Sequence, residues 1–142
     1  MKGFYVTLTA EGTVYGRQNT PADFLTPSPW LQSLQGEWEC ALVEISMECE
    51  YMPTRSDRLY MCSDFVEESY IKGSKYPLLR NVETRGQKKK YLTEQYTDQR
   101  YMRVQAVWRD VVRFYVLDEE LQPVTISADK KLHCVLHFKP RT

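Results

Sequence analysis

Apolar and polar residues alternate with a period of two through most of this chain, the mark of strands with one face on a core and the other in water. The clearest stretch is residues 34–45, in which Trp38, Cys40 and Leu42 alternate with Glu37, Glu39 and Ala41. After Leu42 the apolar set moves to Val43, Ile45 and Met47, and Glu44, Ser46 and Glu48 take the polar positions. A slip of one residue sends every later side chain to the other face unless the backbone bulges or the strand bends. The pattern therefore predicts a bulge or bend near Leu42-Val43, of the kind that lets one long strand serve two packed sheets. Gly36 frees the turn that leads into the strand.

Phe4, Val6 and Leu8 form the inward set of a first strand, which Glu11-Gly12 ends. Prolines at 21, 27 and 29 remove backbone donors and fix φ, so an extended Pro-rich loop is predicted at about residues 17–30, pinned by Phe24, Leu25 and Trp30. Residues 53–57 read as a polar turn. Residues 59–66 are nearly continuously apolar, as in a strand covered on both faces or a short buried helix, and the neighbouring strands favour a strand. Tyr70-Ile71 is a short strand stopped by Gly73-Ser74, and residues 76–82 re-enter the sheet with Pro77 at its start or edge. Arg85-Gly86-Gln87-Lys88-Lys89-Lys90 is a basic turn, read as a solvated hairpin tip. Residues 101–104 are a further strand. Val112, Phe114 and Val116 point inward in the next, a loop over 118–123 leads to Val124-Thr125-Ile126, and Leu132, Cys134, Leu136 and Phe138 are the inward set of the last.

About eight short strands with almost no helical periodicity fit two packed antiparallel sheets. The preferred architecture is a single jelly-roll β-sandwich, one all-β domain over residues 1–142, with its first and last strands side by side; composition and period alone do not separate it from an immunoglobulin-like sandwich. The jelly-roll arrangement pairs Phe4, Val6 and Leu8 with Leu132, Cys134, Leu136 and Phe138. The residues expected to define the fold are Phe4, Val6, Leu8, Trp38, Cys40, Leu42, Phe114, Leu136 and Phe138.

A chain of 142 residues is long enough to bury a core without staples. Formal net charge is zero, so nothing in the overall balance points to nucleic acid or an anionic membrane. Ten Tyr and three Trp suit sheets and half-wet interfaces, where a ring packs and a polar tip stays hydrated. Cys40, Cys49, Cys62 and Cys134 include no C-x-x-C, which argues against zinc, and three of them lie in strand-like runs as reduced core thiols. The start at Met1-Lys2-Gly3, followed at once by a strand, leaves no room for a signal peptide, and no apolar run approaches the ~20 residues of a membrane helix.

Catalytic chemistry finds little purchase. His133 and His137 are the only histidines. Their i, i+4 spacing on a strand sets them ~13 Å apart, too far for one metal, and they are read as polar residues of a sheet face. Glu37 and Glu39 share a strand face at ~6.6 Å, a spacing open to paired acid and base work but usual for solvated strand residues. No nucleophile elbow and no glycine-rich phosphate loop occurs. The expectation is a protein that is not an enzyme, with no catalytic residue, cofactor or metal.

Several segments, in order, resemble the penton-type minor capsid proteins of Polinton (Maverick) elements and adintovirus-like viruses. They are Phe4-Tyr5-Val6-Thr7-Leu8; Asn19-Thr20 with Phe24; Leu34-x-Gly36-Glu37-Trp38-Glu39-x-Ala41-Leu42-x-Glu44-Ile45; Asp64-x-Val66 with Gly73; Pro77-Leu78-Leu79-Arg80; Asp118 with Pro123; and Leu136-His137-Phe138-Lys139. The tryptophan segment and Pro-Leu-Leu-Arg are the specific parts. Members of that family often carry a glycine in the turn before Pro-Val, where this chain has Glu119-Glu120-Leu121-Gln122. The resemblance implies a single jelly-roll subunit in a homopentamer that plugs the icosahedral vertices of a virion capsid. Its implied partners are itself, the double jelly-roll major capsid protein, and a fibre or receptor, with assembly inside the host cell. The alternative class is a non-enzymatic β-sandwich module that recognises a receptor, glycan or peptide through its loops.

Overall fold

A computed structural model describes residues 3–10, 13–14, 17–18, 23–27, 29, 34–48, 58–83, 91–105, 111–123 and 132–141. Along them run the strands β1 (Phe4–Ala10), β2 (Thr13–Val14), β3 (Arg17–Gln18), β4 (Asp23–Pro27), β5 (Trp38–Glu48), β6 (Arg58–Ser63) and β7 (Ser69–Ile71). They continue with β8 (Ser74–Tyr76), β9 (Leu78–Glu83), β10 (Tyr91–Gln95), β11 (Tyr101–Arg103), β12 (Val111–Leu117) and β13 (Leu132–Pro140).

The larger sheet has the order β1-β13-β5-β10, with β11 also on β5, and the smaller has the order β4-β12-β6-β9. β10 takes the second half of β5 and β11 the first, so the two together act as one interrupted strand. Counted along the chain, the eight long strands then stand in the orders 1-8-3-6 and 2-7-4-5, all paired antiparallel. That is the double Greek key of a jelly roll. The first and last strands are neighbours as the preferred jelly roll predicted, with Phe4 opposite Phe138, Val6 opposite Leu136 and Leu8 opposite Cys134.

One core fills the space between the sheets. Trp38, Cys40, Leu42, Ile45 and Met47 of β5, Leu132, Cys134, Leu136 and Phe138 of β13, and Val112, Phe114 and Val116 of β12 are all buried in it. Leu8 is buried too, while Phe4 and Val6 are half-buried at its margin. Phe4 stacks on Phe138 at 5.3 Å and leans on Trp38 at 5.5 Å. Trp38 Nε1 donates to Gln35 O at 2.8 Å, so the one polar atom of the ring is satisfied. Phe65 lies between the layers, 6.1 Å from the Phe114 ring and 5.8 Å from Phe138.

The slip in β5 is a bulge. Leu136 faces Leu42 and Val135 faces Glu44, which leaves Val43 without an opposite number. The extra residue restores the phase, so Ile45 and Met47 point into the same core as Trp38, Cys40 and Leu42. The expected change of sheet does not occur: β5 stays in the larger sheet throughout, because the bulge alone corrects the face.

Three other expectations change. The Pro-rich segment contains an edge strand, β4, with Pro27 at its last position, opposite Val111; Trp30 lies outside the described residues. Gly73 stops the strand at Tyr70-Ile71 as expected but also turns a hairpin, since Lys72 and Gly73 have φ of 49° and 84° between β7 and β8, and Ser74 opens a strand that was not anticipated. β10 was not anticipated at all. The turn at 53–57, the basic turn at 85–90 and the strand at 124–126 lie outside the described residues.

The apolar run at 59–66 is a strand through Ser63, and both its faces are covered. Leu59 and Met61 enter the main core, whereas Tyr60 and Cys62 join Ile71 and Leu117 in a second cluster, with Tyr76, Leu78, Tyr115 and Leu121 at its margin. The β7–β8 hairpin thus roofs the smaller sheet. Leu121 adopts φ 63°, a left-handed conformation costing a non-glycine residue roughly 1–2 kcal/mol. Asp118 holds the turn, its Oδ1 accepting from the amides of Glu120 and Gln122 at 2.9 and 3.0 Å.

Two outcomes follow from this packing. Val43 is the one extra residue, so deleting it leaves Trp38, Cys40, Leu42, Ile45 and Met47 in unbroken alternation and should keep the cooperative fold by circular dichroism and urea denaturation, whereas deleting Val43 and Glu44 together turns Ile45 and Met47 outward and should abolish it; a double deletion as stable as the parent would refute the bulge as the phase corrector. Cys40, Cys62 and Cys134 are free and buried. Burial raises the Cys40 thiol pKa well above its ordinary value, with Cys134 adding to it, and pushes Cys62 and Cys134 up to about 12. These three should resist a thiol reagent in the native protein and react on unfolding, which mass spectrometry of the labelled chain reads directly.

Candidate functional site

The two sheets treat their outer faces differently. That of the smaller sheet carries the hairpin, while among the described residues no element roofs that of the larger. Its side chains stand in rows set by the register. Tyr5, His137, Ala41 and Tyr101 lie in line across β1, β13, β5 and β11. Tyr101 and His137 meet over Ala41, with Tyr101 Oη 2.7 Å from His137 Nδ1, and Ala41 is fully covered although it points outward. The Tyr5 ring lies 4.5 Å from His137 and remains 68% exposed. Gly3 lies under this row: a Cβ there would meet Phe138 O at 2.5 Å and His137 Nε2 at 2.9 Å, so any side chain would push the end of β1 off β13.

Around the aromatic row the charges are paired. Arg103 reaches Glu37 at 2.6 Å and Glu67 at 3.3 Å, and Glu39 faces Lys139 at 3.5 Å and Arg141 at 3.9 Å. Lys139 Nζ also sits 4.1 Å from the Tyr101 ring centre. Each exposed pair contributes at most about 1 kcal/mol, but together they give the face a fixed pattern. Glu37 and Glu39, the carboxylates weighed for acid and base work, are each tied to cations. His133 lies near Thr9, with Nδ1 3.2 Å from Oγ1, and His137 bonds Tyr101, so the histidines engage different rows. Among the described residues no group of three or more His, Cys, Asp or Glu is placed to hold a metal.

A second feature lies where the sandwich opens between β9 and β10. A bulge at Leu79 puts Cys62 opposite Leu78 and Met61 opposite Arg80. Arg80 is thereby turned inward at the sheet edge and is 8% exposed. Its guanidinium lies 3.7 Å from the Tyr96 ring centre and Nη1 donates to Asp98 O at 2.7 Å. Tyr96 is set in place by its amide, which donates to Val43 O at 2.8 Å, the carbonyl of the β5 bulge. Arg58, Arg80, Asn81, Glu83, Glu94, Tyr96 and Arg100 line a cleft of ≈530 Å³. Burial lowers the Arg80 pKa, Tyr96 works against this, and Arg100 adds to it. Burial pushes Tyr96 up to about 12, with Arg80 pulling it down.

Reading the sequence missed this cleft because β10 and the residues after it were not seen as structured. One signal was present: Arg80 interrupts the apolar run Leu78-Leu79-Arg80-Asn81-Val82, and a cation on an inward position needs a partner. No family model, curated protein or solved structure matches this chain. The described residues form a jelly-roll β-sandwich whose larger sheet has an outer face that no described element covers, with an arginine-lined cleft at one edge. No helix among the described residues is long and apolar enough to cross a membrane.

His137 gives this face a pH dependence. Burial, with Lys139 close by, lowers its pKa below the ordinary 6.5. Nδ1 and the Tyr101 hydroxyl share one hydrogen bond in which either can donate, and burial beside Lys139 favours the neutral ring. A base whose pKa falls on folding binds protons more readily when unfolded, so its contribution is fully present above the unfolded value and is lost as pH falls through the folded one. Urea midpoints taken from about pH 7.5 down to about pH 5 should therefore decline, and less steeply in His137→Gln. Equal slopes in the two proteins would disprove the assignment.

Proposed function

We propose that this protein is a structural subunit of a virion capsid: a penton-type vertex protein that assembles as a homopentamer, contacts a double jelly-roll major capsid protein and catalyses nothing. The observation that carries the reading is the jelly-roll strand order. The resemblance of the tryptophan and Pro-Leu-Leu-Arg segments supports it, since the fold by itself serves many functions.

Ring closure requires that one face of each subunit meet a different face of the next, with the rotation closing at five. The larger sheet's outer face suits one side of such a contact. It carries an exposed tyrosine beside a fixed polar frame, the mixture of aromatic anchor and polar rim found in protein interfaces. Assembly inside the host cell fits buried thiols kept free. The second reading, a module that binds a ligand without transforming it, is favoured by the arginine-lined cleft.

Native mass spectrometry at high protein concentration, alone and with the major capsid protein, tests the proposal. A species of five chains, or incorporation into particles, is the expected result. A chain that stays monomeric and is absent from purified particles would overturn it. Tyr5→Ser, at a side chain already open to solvent, should leave folding intact and lower the pentamer share.

A further inference from the structure

We propose that the cleft between β9 and β10 binds a carboxylate, gripped side-on by the Arg80 guanidinium with the Arg100 guanidinium and the Tyr96 hydroxyl as further donors. Arg80 has two of its faculties spent inside the protein: the flat of its guanidinium on Tyr96, and Nη1 on the Asp98 carbonyl. Its Nε has no hydrogen-bond partner among the described residues, and neither has the Tyr96 hydroxyl. A buried donor left unsatisfied is costly, and native proteins keep few of them.

A purely structural role accounts for only part of this. Arg80 does brace the turn over residues 96–100, which Gln99 Nε2 also ties by donating to Tyr96 O at 2.6 Å. That role uses Nη1 and the stacked face and leaves the Nε side idle. On a guanidinium, Nε–H and one Nη–H point the same way, a fork that matches the two oxygens of a carboxylate.

Charge selects among anions. Three guanidinium groups, on Arg58, Arg80 and Arg100, stand against two carboxylates, on Glu83 and Glu94, so the lining carries one net positive charge. Arg58 lies 3.9 Å from Glu83. A monoanion neutralises the remainder, whereas phosphate brings a second charge against the two glutamates. At ≈530 Å³ the cleft is within the range of sites that take small ligands, with room for an amino-acid-sized group. The carboxylate can come from an Asp or Glu side chain or from a chain terminus. This inference does not rest on the capsid reading, since a monomer presents the same cleft.

The test follows the NMR resonance of the Arg80 Nε–H during titration of the full chain. Four probes are used: acetyl-Gly-Glu-Gly-amide for a side-chain carboxylate, acetyl-Gly-Gly for a terminal one, acetyl-Gly-Gln-Gly-amide as the neutral control, and inorganic phosphate. A saturable shift with at least one carboxylate probe, none with the glutamine peptide, and phosphate weaker by about tenfold is the expected result, and the stronger carboxylate probe identifies the source. Arg100→Gln, at an exposed position that spares the core, should weaken binding about tenfold, and Tyr96→Phe by a smaller factor. No shift with either carboxylate, an equal response to the glutamine peptide, or tighter binding of phosphate would overturn the proposal.

Discussion

The sandwich depends on the antiparallel pairing of β5 with β13. These are the longest strands, they lie side by side in the middle of the larger sheet, and each supplies one inward residue in two to the core. Side-chain direction in a strand has no tolerance: an odd shift reverses every residue beyond it. Val43 absorbs that shift. Without the bulge either Trp38, Cys40 and Leu42 or Ile45 and Met47 would face water, and the buried apolar area would fall by an amount comparable to the whole net stability of such a domain.

The same bulge reaches further than the core. Its carbonyl accepts the Tyr96 amide, which fixes the chain just past β10 and sets the tyrosine ring under Arg80. A second bulge, at Leu79, turns Arg80 inward to meet it. Two irregularities, one in the central strand β5 of the larger sheet and one in the edge strand β9 of the smaller, thus converge on one cleft, in keeping with the tendency of bulges to redirect side chains near binding sites. Elsewhere the charges are handled conventionally, as exposed pairs across the outer face that orient long side chains with little effect on stability.

The division of labour between the outer faces has a simple physical origin. β6 is apolar at both parities and so needs cover on both sides, which the β7–β8 hairpin and Leu121 provide. β13 is wholly apolar at one parity only, and among its outward residues His133, His137 and Lys139 beside Val135 leave the larger sheet's outer face polar enough to stand in water or against a polar partner. Assembly through that face would cost little in desolvation at the paired charges on its rim and gain most at Tyr5, the exposed ring near its edge.

Alternation along the chain determined the class of fold, the inward set of each long strand and the position of the bulge, while the pairing of first and last strands came from preferring a jelly roll over an immunoglobulin-like sandwich. The first three follow from a period-two backbone that must hide one face. The edge strand β4 and the hairpin at Gly73 were misread because proline and glycine mark turns without saying what lies on either side of them. Short polar strands such as β10 carry too few apolar positions to show a period. Only the tertiary structure decided which sheet β5 belongs to, which face is roofed, and that Arg80 meets Tyr96, Asp98 and Arg100. Those depend on contacts between residues far apart in sequence, and no local pattern encodes which distant strand will come to lie alongside.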